Sequence, residues 1–255
     1  MLSVQDLRKC YANGTWALQG VTFKLERGNC LGLVGVSGCG KSTLARIICG
    51  LEGFQSGEIS LEGIRYRGLR RQDPRILRRQ VQMVFQDTSG SLDPRCKVWQ
   101  TLEEPLTNYE RLSRAAVRSR VEGLLAQVGL GTDLAGSYPH ELSGGQRQRV
   151  VIARALAVEP AYLICDEPVS SLDRETREQI LSLLLKLQKP GDSTARGILF
   201  ITHDIALAFR MSTHILVMRD GTILEDLHGG ASCARDPYTR GLFAALPYPE
   251  TGGLC

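Results

Sequence analysis

No stretch of this 255-residue chain approaches the roughly 18 uninterrupted apolar residues that a membrane-spanning helix needs. The N-terminus lacks a signal peptide's apolar run as well: in MLSVQDLRKCYANG, the charges of Asp6, Arg8 and Lys9 stand where that run would lie. The expectation is therefore a cytosolic chain. Eight cysteines are present, but none forms a CxxC pair. That argues against a zinc site or a disulfide frame, and the thiols read as reduced and mostly buried. Charge of one sign is scarce too. The formal net charge is only +4, too little to single out nucleic acid or an anionic membrane over an ordinary solvated surface. There is no internal repeat, no low-complexity tract and no sustained heptad.

What is present is an alternation of strand and helix signals. Val21 to Leu25 alternates apolar and polar, as a half-buried strand does, and Gly57 to Tyr66 reads as a hairpin turning at Glu62-Gly63. LGLVGV (Leu31 to Val36) is a continuous apolar run suited to a strand buried on both faces. A helix is expected over Lys41 to Cys49, stopped by Gly50. From about 87 to 158 strand signals fade, and Ser113 to Leu130 has apolar residues on one helical face, so this stretch reads as an inserted helical subdomain. Strands return at YLICD, GILFIT and HILVM, with Asp220-Gly221 as a hairpin turn. The expected class is an α/β core with an N-terminal antiparallel β part, occupying 1–230. A short amphipathic tail follows over 231–255, starting a helix near Pro237, with Leu242, Phe243 and Leu246 able to bury.

GVSGCGKST, from Gly35 to Thr43, fits G-x-x-x-x-G-K-[ST] between an expected strand and an expected helix. In such a loop Gly35, Ser37, Gly38, Cys39 and Gly40 turn backbone amides around phosphate, and the helix N-terminus adds its dipole. Lys41 neutralises the β/γ-phosphates, Ser42 can coordinate Mg²⁺, and Thr43 closes the motif. YLICDE supplies Asp166 to the Mg²⁺ shell, and Glu167 can orient or deprotonate an attacking water. Cys39, inside the loop, predicts that alkylating its thiol blocks ATP binding.

LSGGQRQR (Leu142 to Arg149) is a second glycine-rich helix start, and one ATP site does not need two. Two cores facing head to tail would use both. The turn of Ser143, Gly144, Gly145 and Gln146 from one chain would cover the γ-phosphate held by the other.

Phosphate loop, LSGGQ and an apolar-Asp-Glu strand, in this order, resemble the nucleotide-binding subunit of an ABC transporter over nearly the whole chain. The resemblance implies a P-loop NTPase (RecA-like) core with an N-terminal antiparallel β subdomain and an inserted helical subdomain. It implies that Gln86 senses Mg²⁺ and the membrane partner, that SSLD ending at Asp173 touches the opposing site, and that His203 of ITHD contacts the γ-phosphate. Tyr11 matches the adenine-stacking aromatic, with Trp16 a weaker match. The stretch Gln82 to Leu106 and the tail DPYTRGLFAALP are similar to the peptide/nickel importer subfamily. That subfamily implies two permease subunits, an extracytoplasmic substrate-binding protein, a second and different ATPase chain, and a place on the cytoplasmic face of the membrane. Oligopeptide members usually carry a cysteine cluster past this tail. Its absence before Cys255 turns the expectation toward nickel or metal chelates, with dipeptides or oligopeptides as the alternative. A regulatory or nucleic-acid-associated ATPase without a permease is the reading from another class.

Overall fold

In the computed structural model, residues 1–67, 74–85, 88–188, 194–228 and 233–244 are described. The chain opens with β1 (Leu2–Cys10) and β2 (Trp16–Leu25), an antiparallel pair. Along β2, Val21, Phe23 and Leu25 are buried while Thr22 and Lys24 are exposed, the period-two pattern of a sheet with one wet face. The chain then leaves to form β3 (Cys30–Val34) and α1 (Lys41–Ile48), and returns as β4 (Ser56–Leu61) and β5 (Ile64–Tyr66). These last two complete a four-stranded sheet of order β2-β1-β4-β5. Glu62 and Gly63, both at positive φ (48° and 84°), make the turn that matches strand twist in a two-residue hairpin.

The next elements are α2 (Pro74–Gln80), β6 (Val81–Val84), α3 (Thr88–Ser91), α4 (Val98–Tyr109) and α5 (Arg114–Gln127). Then come α6 (Gly144–Leu156), β7 (Tyr162–Asp166), α7 (Arg174–Gln188) and β8 (Gly197–Ile201). The last are α8 (Ile205–Met211), β9 (His214–Arg219), β10 (Thr222–Leu227) and α9 (Pro237–Ala244). Among the described residues every element between 88 and 156 is helical. α5 is shorter than its apolar spacing suggests: Ser113 caps it by accepting from the Ala116 amide, and Gly129 at φ 69° ends it just past Val128. α4 had no distinct sequence signal, since Pro105 sits inside it and removes one backbone donor.

The second sheet has the order β10-β9-β3-β8-β7-β6. The five strands from β9 to β6 run parallel, and β10 is antiparallel to β9. Its central strands serve two cores. Cys30, Leu163, Cys165, Ile198 and Phe200 face the cluster built with α6 and α7, whereas Leu31, Leu33, Ile164, Leu199 and Ile201 face the cluster built with α1 and the first sheet. Their apolar runs are continuous because both faces are dry. Each such side chain contributes roughly 1.5–3 kcal/mol through burial.

The tail helix α9 packs Phe243 edge-to-face on Phe209 at 5.4 Å, while Leu242 is half-buried. Leu246 lies outside the described residues. Six cysteines are free thiols, and burial pushes Cys30 up to about 12 and Cys49 and Cys165 further up. Cys233 departs from the expectation of reduced thiols: it is disulfide-bonded, and the cysteine spacing carried no signal for it.

Candidate functional site

Strand register gathers three chemically distinct segments at one sheet edge. Leu33 pairs with Ile201, and Ile201 pairs with Asp166. The loop after β3, the Asp166-Glu167 pair at the end of β7 and the Thr202-His203 pair after β8 therefore emerge side by side at the carboxyl ends of parallel strands, where open α/β sheets bind ligands.

The Gly35–Thr43 loop has the backbone geometry of an anion cradle. Gly40 precedes α1 with φ 111°, and a Cβ there would lie 2.4 Å from the Ala17 carbonyl oxygen, so only glycine fits. At Gly38, also at positive φ, a Cβ would meet nothing within 4 Å. α1 has no side-chain cap and no acidic residue in its first turn, which leaves its N-terminal amides to a ligand. Lys41 is only 8% exposed, and its Nζ donates to the carbonyls of Gly35 (2.7 Å) and Val36 (2.9 Å). Among the described residues no carboxylate lies within ion-pair distance of it. A sequestered ammonium and uncapped amides around open space suit a polyphosphate.

Ser37 and Ser42 are exposed and Thr43 is half-buried. The Ser42 hydroxyl donates to the Asp166 carboxylate. Burial pushes Asp166 above the ordinary carboxylate range, and the Ser42 hydrogen bond opposes this. A hydroxyl beside a largely buried carboxylate is an all-oxygen donor set that fits a hard divalent cation such as Mg²⁺.

Cys39 sits deep in the loop. Its thiol is 4% exposed and its Sγ lies 3.7 Å from Lys41 Nζ. Its amide donates to the Val36 carbonyl and its carbonyl accepts from Gly221. The side chain is a packing element of the loop, so reagent reaches it only when the loop opens. We expect peptide mapping to show a maleimide labelling half-exposed Cys10 and Cys96 well before Cys39. Loss of ATP binding should follow Cys39 labelling alone. A Cys39→Ala chain that loses binding equally fast would overturn this.

Glu167 sits at φ 48°, the left-handed region that is costly for a residue with a side chain. Its amide donates to the Ile201 carbonyl at 2.9 Å. This turns the half-buried carboxylate toward His203, whose Nδ1 lies 3.0 Å from Oε1. His203 is itself exposed and held by a turn in which Thr202 Oγ1 accepts from the Asp204 amide, while Asp204 caps α8 by accepting from Leu207. Sequence reasoning missed buried Thr202 as part of this turn, although Thr and Asp on either side of His203 are turn-forming residues.

The Ser143–Gln146 turn is a complete capping box. Ser143 Oγ accepts from the Gln146 amide at 3.2 Å, and Gln146 Oε1 accepts from the Ser143 amide at 2.9 Å. The Ser143 hydroxyl keeps its own proton to donate. Ser143 is exposed, while Gly144, Gly145 and Gln146 are half-buried. Among the described residues no hydrogen bond or ion pair joins this turn to the Gly35–Thr43 loop. Asp173 caps α7, accepting from Thr176 at 3.0 Å, and that hydrogen bond holds its carboxyl below the usual range. Tyr11 is brought to the loop: its hydroxyl is 3.0 Å from Thr43 Oγ1, and Lys9 Nζ sits 5.1 Å from its ring centre. Its contact with Glu52 at 3.5 Å had no sequence signal. Trp16 is 51% exposed. Gln86 lies outside the described residues.

The sequence profile of the family described as "ABC transporter" matches residues 18–170. The chain is 42% identical over 241 residues to the oligopeptide transport ATP-binding protein OppF of Escherichia coli (strain K12), covering 92% of this chain and 70% of that protein. It is 44% identical over 262 residues to the probable peptide ABC transporter ATP-binding protein y4tS of Sinorhizobium fredii, covering 98% and 73%. Among solved structures, the dimeric ATP-binding cassette MJ0796 bound to ADP and Pi superposes with a TM-score of 0.78 at 32% identity, covering 89% of this chain and 98% of that one. CbiO1 from Clostridium perfringens, part of the ABC transporter complex cbiONQ, gives 0.79 at 30%, covering 96% and 90%. The fold is that of an ABC ATPase cassette, with a P-loop NTPase core. The chain belongs to the ABC transporter family, as an ATP-binding subunit that hydrolyses ATP.

Proposed function

We propose that this subunit powers an importer of short peptides, and that it acts as one of two unlike ATPase chains closing head to tail. The observation that carries the two-chain arrangement is the divided site. Lys41, Ser42, Asp166, Glu167 and His203 belong to one sheet edge, while the Ser143–Gln146 turn makes no hydrogen bond or ion pair with that edge's phosphate loop. In the reading we favour, Lys41 turns from the Gly35 and Val36 carbonyls to the β/γ-phosphates, and the loop and α1 amides hold the remaining oxygens. The Ser143 hydroxyl and the amides of Gly144 and Gly145 cap the γ-phosphate of the opposite chain. Mg²⁺, held by Ser42, Asp166 and Gln86, would neutralise charge developing on the phosphate oxygens. Glu167 takes the proton of the attacking water, and His203 fixes the Glu167 carboxylate and faces the γ-phosphate. Asp173 lies at the seam with the partner, and Tyr11 offers a ring to adenine.

Peptide import is favoured because the relatives named for peptide transport match over more than nine-tenths of this chain. It takes precedence over the nickel expectation, which rested on the tail. Docking to a permease is supported by a cleft of about 300 Å³ immediately before Gln86, lined in part by Phe85, Glu104, Pro105, Tyr109 and Arg154. Its mixed apolar and charged wall suits a short amphipathic helix. Closure of the paired ATPases would turn the permeases outward, and hydrolysis would reset them. No helix of the described residues is long and apolar enough to cross a membrane; on the likeness to transport ATP-binding proteins we place the chain as a peripheral subunit on the cytoplasmic face.

Uptake by the reassembled complex in proteoliposomes, given a labelled dipeptide against labelled nickel, free and chelated, tests the substrate. ATP-dependent dipeptide uptake with no metal uptake is the expected result. Metal uptake alone would return the assignment to the metal branch.

A further inference from the structure

At the opposite end of the second sheet from the phosphate loop, two imidazoles and a carboxylate converge. The Asp220-Gly221 turn sets the register of the β9–β10 hairpin, so that Ile215 pairs with Leu227 and Leu216 with Asp226. One step further along, His228 falls opposite His214. Asp226, two residues before His228, points to the same face because strand side chains alternate. The two rings stack at 4.6 Å with 12° between their planes. His228 Nε2 lies 3.4 Å from Asp226 Oδ1, and His214 Nε2 lies 3.8 Å from the same oxygen. All three donor atoms fall within 4.8 Å of one another.

The hydrogen bonds behind His214 decide which nitrogen it presents. The Thr213 hydroxyl donates its only proton to the Cys30 carbonyl at 2.8 Å. Its 3.3 Å contact with His214 Nδ1 must therefore run the other way, with Nδ1–H donating. A neutral His214 then carries its proton on Nδ1 and turns a bare Nε2 lone pair toward Asp226. An oriented imidazole of this kind, fixed by a hydrogen bond from its other nitrogen, is how proteins prepare a metal ligand. The spacing agrees: ligands about 2.0–2.1 Å from a tetrahedral ion stand about 3.4 Å apart. A bare lone pair 3.8 Å from carboxylate oxygen is too far for a hydrogen bond but close to the edge of a coordination tetrahedron.

We propose that His214, Asp226 and His228 form a binding site for one borderline divalent transition cation, of the Zn²⁺ or Co²⁺ kind, with the fourth position open to water. Two imidazoles and one carboxylate suit such an ion better than Mg²⁺ or Ca²⁺. The site is separate from the nucleotide. His214 pairs with Leu31 at the start of β3, whereas the Asp220-Gly221 turn meets the loop through the Gly221 amide and the Cys39 carbonyl. Six residues of strand between them span about 20 Å. A bound ion would clip the open end of the β9–β10 hairpin.

The test is a Zn²⁺ titration of the metal-stripped full chain, with Mg²⁺ in excess, against a chromophoric chelator, and a parallel Co²⁺ titration followed by visible absorption. The wild type should take up one Zn²⁺ per chain and give the intense bands of tetrahedral Co²⁺. Asp226→Asn and His228→Ala should each weaken binding at least about tenfold and abolish the bands. Both positions are well exposed (45% and 71% of the side chain), and near-unchanged circular dichroism and melting of the stripped variants would separate a lost ligand from a lost fold. Failure of the wild type to bind Zn²⁺, or wild-type binding by both variants, would overturn the proposal.

Discussion

Replacing Glu167 by Gln is expected to lower steady-state ATP turnover by at least about a hundredfold, the lower end of what a positioned general base contributes, while ATP binding is retained. The amide keeps the size of the carboxylate and can still accept from His203 Nδ1, 3.0 Å away in the native pair. It cannot take a proton from water. The strained backbone at φ 48° is held by the Ile201 carbonyl, not by the carboxylate, so the fold should survive. A nucleotide-bound closed dimer should accumulate, visible as an ATP-dependent shift in sedimentation. His203→Ala serves as the comparison: it leaves the base in place but unoriented, so turnover should fall less than in Glu167→Gln. A normal rate in Glu167→Gln would remove Glu167 as the base.

Lys41→Ala should act on the step before. The ammonium is buried and bonded to two carbonyls and the Cys39 sulfur, and among the described residues no carboxylate lies at ion-pair distance, so its charge is available to phosphate. A charge-assisted hydrogen bond is worth roughly 1.5–3 kcal/mol, which at about 1.4 kcal/mol per decade converts to about a 10- to 150-fold loss of ATP affinity. Equilibrium binding of a fluorescent nucleotide reads this directly. The substitution also strips the Gly35 and Val36 carbonyls of their donor, so the melting temperature without nucleotide must be measured alongside. Unchanged affinity in a folded variant would mean that the loop amides and α1 carry the phosphates without the lysine.

The three central strands, β3, β7 and β8, were legible because runs as short and as continuously apolar as YLICD and GILFI suit a doubly buried strand better than a helix. The hairpin turns at Glu62-Gly63 and Asp220-Gly221 were legible from local chemistry alone. β1 was harder to read, since register shifts and Asp6 at φ 44° break its alternation. In the site, residue types and spacing named Ser42, Asp166 and Glu167 separately, and the family resemblance named His203. Their pairing was out of reach, because Glu167 meets His203 across 36 intervening steps of chain and only the β7–β8 register closes that distance. The His214 cluster escaped for the same reason: its members become neighbours only once the hairpin fixes which residues share a face.

The two-sided burial of the central sheet also limits how such a chain can vary over evolutionary time. Side chains on β7 and β8 alternate between two separate cores, so gaining or losing one residue within either strand would exchange the two sets and spoil both at once. The same change would shift Asp166 or His203 out of line. Insertions and deletions should therefore be purged from these strands and accumulate in the connections, such as the helical stretch from 88 to 156. Length polymorphism among relatives would then trace the surface where partners differ, while the strands keep a fixed residue count.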